Sequence, residues 1–204
     1  MKIVLATGNK KKVEEIQRIV GGLSMEVDTL GSYPDFPEVV EDGDTFQANA
    51  DKKALEVARY TGQLALADDS GLVVDALDGA PGVYSARYAG PNASDQDNSD
   101  KLLSALTDVP MEQRTGRFMC VLSLATPDGK VKRFEGKVEG RISLKPTGNN
   151  GFGYDPVFVP VTDDPNHSRS FAEMDASEKD SMSHRGRALA AFAQSLKAGL
   201  LQAL

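Results

Sequence analysis

The sequence has a single cysteine, no tryptophan and only two histidines among its 204 residues. One thiol excludes an internal disulfide and any zinc site built on several thiolates. Cys120 lies among Phe118, Met119, Val121 and Leu122, so it reads as a buried strand thiol with nothing beside it to lower its pKa. Basic charge is scarce as well: 23 Lys and Arg stand against 30 Asp and Glu, for a formal net charge of −7. Such a chain is not expected to coat nucleic acid or an anionic membrane, since both require a broad basic face. No apolar run approaches the ~18 residues of a membrane span. The stretch Met1-Lys2-Ile3-Val4-Leu5-Ala6 is too short for the apolar part of a signal peptide. The expectation is therefore a cytoplasmic protein with neither a nucleic-acid nor a membrane partner. Repeats, low-complexity tracts and long linkers are also missing. What is present, at 40% hydrophobic and 26% charged residues, suits a folded globular chain. Its length fits one domain, residues 1–204, built as two lobes.

Short apolar runs alternate with amphipathic stretches in the first third. Ile3 to Ala6 reads as a buried strand ending in Thr7-Gly8-Asn9, and Lys10 to Val20 as a helix with Val13, Ile16, Ile19 and Val20 on one face, stopped by Gly21-Gly22. Glu26 to Leu30 is a weak second strand. A second helix, capped by Asp44 with Gln47 three residues on, carries Ala50, Ala54, Leu55 and Ala58 inward as far as Gly62. Leu64 to Ala67 is a strand running out into Asp68-Asp69-Ser70-Gly71. Further on, Ser94 caps a helix bearing Leu102, Leu103 and Leu106. Arg117 to Ala125 and Val131 to Arg141 form a hairpin about Pro127-Asp128-Gly129, and Val157 to Val159 is a short strand. From about Ser183 a last helix aligns Leu189, Phe192, Leu196 and Leu200. Alternating helices and strands interrupted by a hairpin predict an α/β fold with a mixed sheet flanked by helices, in two lobes with a cleft between them.

Four constellations could carry chemistry. Thr7-Gly8-Asn9-Lys10-Lys11-Lys12 links a strand to a helix N-terminus, where amide N–H groups and the dipole attract anions. Three lysines are unfavourable there unless a polyphosphate compensates them; the alternative is a solvated basic turn. The spacing is not that of a Walker A loop. Between Glu26 and Asp51 lie eight acids (Glu26, Asp28, Asp35, Glu38, Glu41, Asp42, Asp44 and Asp51) with no Lys or Arg, and Asp68-Asp69 follows. These carboxylates suit a hard cation such as Mg²⁺ beside phosphates, or else they are a turn and a capped loop. Because strand neighbours face opposite ways, only one of Asp68 and Asp69 is expected to serve a site directly. Gly151-Phe152-Gly153-Tyr154-Asp155-Pro156 lacks the third glycine of a dinucleotide fingerprint. It suits either the approach and stacking of a flat base or a turn whose aromatics plug the core. Lys179 with Ser183-His184-Arg185 offers an Arg fork for a keto oxygen or a phosphate, or an exposed helix start. His184 is not read as the base, and His167, in a polar loop, reads as exposed.

Taken in order, Thr7-Gly8-Asn9-x-x-Lys12, Glu41-x-Gly43-x-Thr45-Phe46-x-x-Asn49-Ala50-x-x-Lys53-Ala54, Ala67-Asp68-Asp69-Ser70-Gly71-Leu72, Pro81-Gly82-Val83-Tyr84-Ser85-Ala86-Arg87, Phe152-Gly153-Tyr154-Asp155-Pro156 and Lys179 with Ser183-His184-Arg185 resemble the inosine triphosphate pyrophosphatases. The resemblance spans nearly the whole chain. It implies an elongated mixed sheet and a homodimer. The implied reaction is Mg²⁺-dependent hydrolysis of ITP, dITP and XTP to the monophosphate and pyrophosphate. It also implies that Thr7, Gly8, Asn9, Lys10, Lys11, Lys12 and Lys53 hold the triphosphate and that Glu41 and Asp69 bind Mg²⁺, with Asp69 also accepting a proton from water. Ser70, Phe152, Gly153, Tyr154, Asp155, Lys179, His184 and Arg185 are implied to contact the substrate, Phe152 by stacking. An Arg185 fork would pair with O6 of the base and be left unmatched by adenine. Removal of the γ-phosphate alone, or nucleotide sensing without hydrolysis, are the competing readings.

Overall fold

The computed structural model describes residues 2–21 and 25–199. The principal elements run β1 (Lys2–Leu5), α1 (Lys10–Val20), β2 (Glu26–Thr29), α2 (Phe46–Thr61), β3 (Leu64–Val74), α3 (Asp95–Ala105), β4 (Thr115–Ala125), β5 (Val131–Ile142), β6 (Phe158–Pro160), α4 (Ala176–Met182) and α5 (His184–Lys197). The strands hydrogen-bond in the order β2-β1-β3-β4-β5-β6. β1 is parallel to β2 and β3, while β5 is antiparallel to β6, so the expected mixed sheet is present. Two compact units divide the chain: unit 1 takes Met1–Asp69, Cys120–Gly136 and Arg185–Leu204, and unit 2 takes Ser70–Met119 and Lys137–His184.

In unit 1 the uninterrupted apolar run of β1 has a direct cause. Ile3 and Leu5 pack with Ile16 and Val20 of α1, Leu66, Leu122, and Leu189 and Phe192 of α5. Val4 and Ala6 point the other way, into Ala54, Val57 and Ala58 of α2 with Ala65 and Ala67. A strand covered on both faces has no polar side to show. The α1 stripe is as the periodicity predicts, with Val13 and Ile19 half-buried at its margin. Gly22 and Leu200, read as a helix stop and as part of the last stripe, lie outside the described residues. Cys120 is buried in this core, and burial pushes its thiol up to about 12.

Two local expectations are corrected. The cap of α2 is Thr45, not Asp44: the Thr45 Oγ1 accepts from the Ala48 N–H at 3.1 Å. A cap oxygen reaches the amide three residues ahead, so Gln47 is one position too early to close a capping box and instead donates to Glu135 at 3.3 Å. Gly62 ends the helix in the left-handed region at φ 66°, where a side chain would be strained. Nor does β3 stop at Ala67; it continues to Val74, so Asp68-Asp69-Ser70-Gly71 lies inside a strand rather than at its end or in a turn. Polar residues persist there because each carboxylate has buried cationic partners, described below. The short strand near 157–159 begins one residue later than expected, because Asp155–Val157 forms a 3₁₀ turn.

Unit 2 packs Leu72, Val74, Leu102, Leu106, Phe118, Phe158 and Phe171 into a core of its own. Ser94 caps α3 as predicted, with Asp97 closing the capping box. Arg114, 2% exposed, straps three segments together by donating to the carbonyls of Leu106 (2.9 Å), Ile142 (3.0 Å) and Ser143 (3.0 Å). Arg114→Met keeps the apolar stem and strands those acceptors, so a loss of at least ~2 kcal/mol in urea unfolding is expected. A change below ~0.5 kcal/mol, the range of ordinary surface substitutions, would show the strap to be inert. Among the described residues no helix is long and apolar enough to cross a membrane.

Candidate active site

Alternation along β3 sends Asp68 and Asp69 to opposite faces of unit 1, and each organises a separate set of charges. Asp68 is 1% exposed. Its Oδ2 takes the Lys12 ammonium at 3.0 Å and the Arg185 guanidinium at 3.0 Å (Nη2) and 3.3 Å (Nε). The remaining Arg185 nitrogen, Nη1, donates to Glu15, which sits three residues beyond Lys12 on α1 and so on the same helical face. Lys12, Asp68, Arg185 and Glu15 thus form a buried chain of alternating charge. Burial opposes ionisation of Asp68, but Lys12, Arg185 and Lys53 outweigh it and hold the carboxyl well below the usual range. Burial likewise opposes the charge on Arg185, and Asp68 and Glu15 restore it.

On the other face, Asp69 Oδ1 lies 3.2 Å from the Lys53 ammonium, and Glu41 Oε2 lies 3.1 Å from the same nitrogen. Asn49 donates to Asp69 Oδ2 at 3.2 Å. Two carboxylates from different segments therefore converge on one lysine. Asp69 is pushed up to about 6, by burial first and by the Glu41 charge, against the opposing pull of Lys53, Lys12 and the Asn49 hydrogen bond. A carboxylate poised there is ionised at neutral pH yet basic enough to accept a proton. Lys53 feels burial working against its charge, and Asp69, Asp68 and Glu41 more than compensate. Lys12 thus acts electrostatically on both aspartates.

Thr7 to Asn9 is a tight turn closed onto the start of α1. The Thr7 hydroxyl accepts from the Asn9 N–H at 3.2 Å, and Asn9 Oδ1 caps α1 by accepting from the Lys11 and Lys12 N–H groups at 3.0 and 3.3 Å. The cap thus occupies two of the amides that the helix N-terminus would offer an anion, which leaves the exposed Lys10 and Lys11 together with Lys12 as the cationic rim. In unit 2, Lys179 Nζ contacts Asp155 Oδ2 at 2.7 Å and lies 4.9 Å above the Phe152 ring. The Phe152 N–H donates to the same Asp155 oxygen at 2.8 Å. Gly151, at φ 74°, admits no side chain, because a Cβ would overlap that carboxylate. The Gly153 N–H donates to Asp95 at 2.9 Å. The two aromatics divide the alternative readings of this loop: Tyr154 plugs the core with its hydroxyl on the Ser85 carbonyl at 2.9 Å, while Phe152 stays half-buried. His184 is buried and stacks on Phe118, with ring centroids 4.7 Å apart and planes at 10°. Ser70 is half-buried at the residue after Asp69, and His167 is half-buried rather than exposed, with its Nε2 on the Arg169 carbonyl at 3.0 Å.

Sequence reasoning assigned no role to Glu15 or Asn49. Their signals were there: an acid on the apolar side of α1 next to Ile16, and an asparagine one turn before Lys53 on α2. Among the described residues no group of three or more His, Cys, Asp or Glu gathers as a metal cage. Glu41 and Asp69 do fit a cation of the Mg²⁺ type, which takes one or two carboxylates and completes its shell with water and phosphate.

The protein is thus of the mixed α/β class, with a central strand whose buried carboxylates are answered by lysines from two helices. More particularly, the chain belongs to the Ham1 family, which it matches over residues 3–195. It is 52% identical over 189 residues to the dITP/XTP pyrophosphatase of Desulforamulus reducens, covering 93% of this chain and 92% of that one. It is 53% identical over 189 residues to the dITP/XTP pyrophosphatase of Geobacter sulfurreducens, covering 93% of each. Among solved structures, a HAM1 protein from Coxiella burnetii aligns with a TM-score of 0.87 at 40% identity, over 97% of this chain and 99% of that one.

Proposed function

We propose that the protein hydrolyses dITP, XTP and ITP to the nucleoside monophosphate and pyrophosphate with Mg²⁺ held by Glu41 and Asp69. The convergence of these two carboxylates on Lys53, with Lys12 within electrostatic reach, carries the reading. The names of the relatives support its substrate class. When bound, the cation supplies charge neutralisation on the phosphates and a lower pKa for water. Asp69 takes a proton from a water whose oxygen bonds to the α-phosphorus. The bond from that phosphorus to the α–β bridging oxygen breaks, and pyrophosphate leaves with its charge stabilised by Lys12 and Lys53. The loop from Thr7 to Lys11 borders the phosphates. Within unit 2, the half-buried Phe152 ring beside Lys179 is the proposed stacking surface for a flat base. Arg185 acts through Asp68. The same reading takes the working form to be a cytoplasmic homodimer.

Incubation of the protein with dITP and Mg²⁺, followed by ³¹P NMR, tests the assignment. It is expected to give dIMP and pyrophosphate; dIDP with phosphate, or no turnover, contradicts it. A pH dependence follows from Asp69. Protons compete with the cation for its carboxylate, which is charged above about 6. Mn²⁺ binding followed by electron paramagnetic resonance without nucleotide should be constant near neutrality. Below about pH 6 it should weaken by about tenfold per unit. Affinity that stays flat through that range contradicts a role for Asp69 as ligand.

A further inference from the structure

We propose that Asn49 is a positioning residue whose carboxamide locks the Glu41-bearing loop against Asp69, so that the two carboxylates are presented as a pair. The inference rests on the pyrophosphatase reading only for what the pair then does. Asn49 is 1% exposed, in the first turn of α2. Its Oδ1 accepts from the Gly43 N–H at 2.8 Å, and its Nδ2 donates to the Gly43 carbonyl at 3.3 Å and to Asp69 Oδ2 at 3.2 Å. Both amide hydrogens and one acceptor lone pair are therefore used. The orientation is fixed by its neighbours: reversing the amide would set NH₂ against an N–H and oxygen against a carboxylate.

Gly43 completes the device. A Cβ there would lie 2.7 Å from Asn49 Oδ1 and 2.9 Å from the Ala48 Cβ, closer than side chains approach, so glycine lets the loop backbone close on the amide. Glu41 stands two residues before Gly43 and Lys53 one turn after Asn49. One side chain consequently sets the distance between the loop carboxylate and the strand carboxylate. A cap of α2 would have no need of this link, because Thr45 already performs that task.

The test compares Asn49→Ala, Gly43→Ala and the double variant with the wild type. Residues behind the groups that grip a metal typically contribute about 10–100-fold to metal affinity or activity. Each single variant is accordingly expected to weaken Mn²⁺ binding to the nucleotide-free protein by about that factor. Each should also lower kcat for dITP at saturating Mg²⁺ more than it changes KM, with thermal unfolding still cooperative. Because both act through one clamp, the double variant should be no worse than the more damaged single. Mn²⁺ affinity and kcat within about threefold of wild type, losses that multiply in the double variant, or a kcat loss that only tracks the unfolded fraction, each overturn the proposal. Should Asn49→Ala fail to fold, Asn49→Asp, which keeps the shape and the acceptor for Gly43, is judged by the same criteria. Wild-type turnover of dITP reports separately on the pyrophosphatase reading, since Mn²⁺ binding needs no nucleotide.

Discussion

Asp69→Asn is expected to lower dITP turnover by about 10²–10⁴-fold, the usual contribution of a positioned general base, while leaving nucleotide binding nearly intact. The substitution preserves shape but removes the charge, the proton acceptor and one of the two oxygens that face Lys53 and Asn49. Two effects on stability oppose each other. The folded carboxyl titrates near 6, above the ~3.9 of an unfolded aspartate, so the native state holds that proton more tightly than the unfolded chain. The ionised group therefore works against folding as pH rises above that window. Asn removes this penalty but also takes one carboxylate from the buried Lys53, leaving Glu41 at 3.1 Å, so a melting temperature close to wild type should accompany the loss of rate. Turnover within about tenfold of wild type would take Asp69 out of the chemistry.

Arg185→Ala is expected to cost about 3–5 kcal/mol, the range found when one partner of a buried ion pair is removed. Asp68 and Glu15 would remain in the interior with the guanidinium gone, and only Lys12 would remain of the two cations bonded to Asp68. The sign of the pH dependence is fixed. The lowered pKa of Asp68 in the folded state contributes stability that is present above the unfolded carboxylate value and is lost as pH falls through the folded one. The deficit of the variant should be largest near about pH 7 and shrink toward about pH 4 and below. Arg185→Lys should not restore it, since a point charge cannot span two carboxylates as the fork does. If Arg185 acts through Asp68 and Lys12, the folded fraction of the variant loses dITP and ATP turnover in parallel. A selective fall in the ratio would return Arg185 to the recognition of O6.

How much of this was legible in the sequence follows from which interactions are local. The α1 stripe, the Ser94 cap and the turn at Pro127-Asp128-Gly129 rest on near neighbours, and the chain folds there as its periodicity predicts. The run Ile3–Leu5 announced a strand covered on both faces. The extent of β3 was not legible, because Asp68-Asp69-Ser70-Gly71 looks like a turn until Lys12, Lys53 and Arg185 are brought to it from distant positions. The opposition of Asp68 and Asp69 was foreseeable from the pleat alone. Which of them faces Glu41 depended on the fold. Arg185 shows the same limit: a fork beside a histidine reads as a ligand contact, and only the structure supplies the two acids that occupy it.

The most direct measurement is hydrolysis of dITP in ¹⁸O-enriched water with mass analysis of both products. Water activated by Asp69 and directed at the α-phosphorus predicts label in dIMP and none in pyrophosphate. Label in pyrophosphate, or release of labelled inorganic phosphate, contradicts the account.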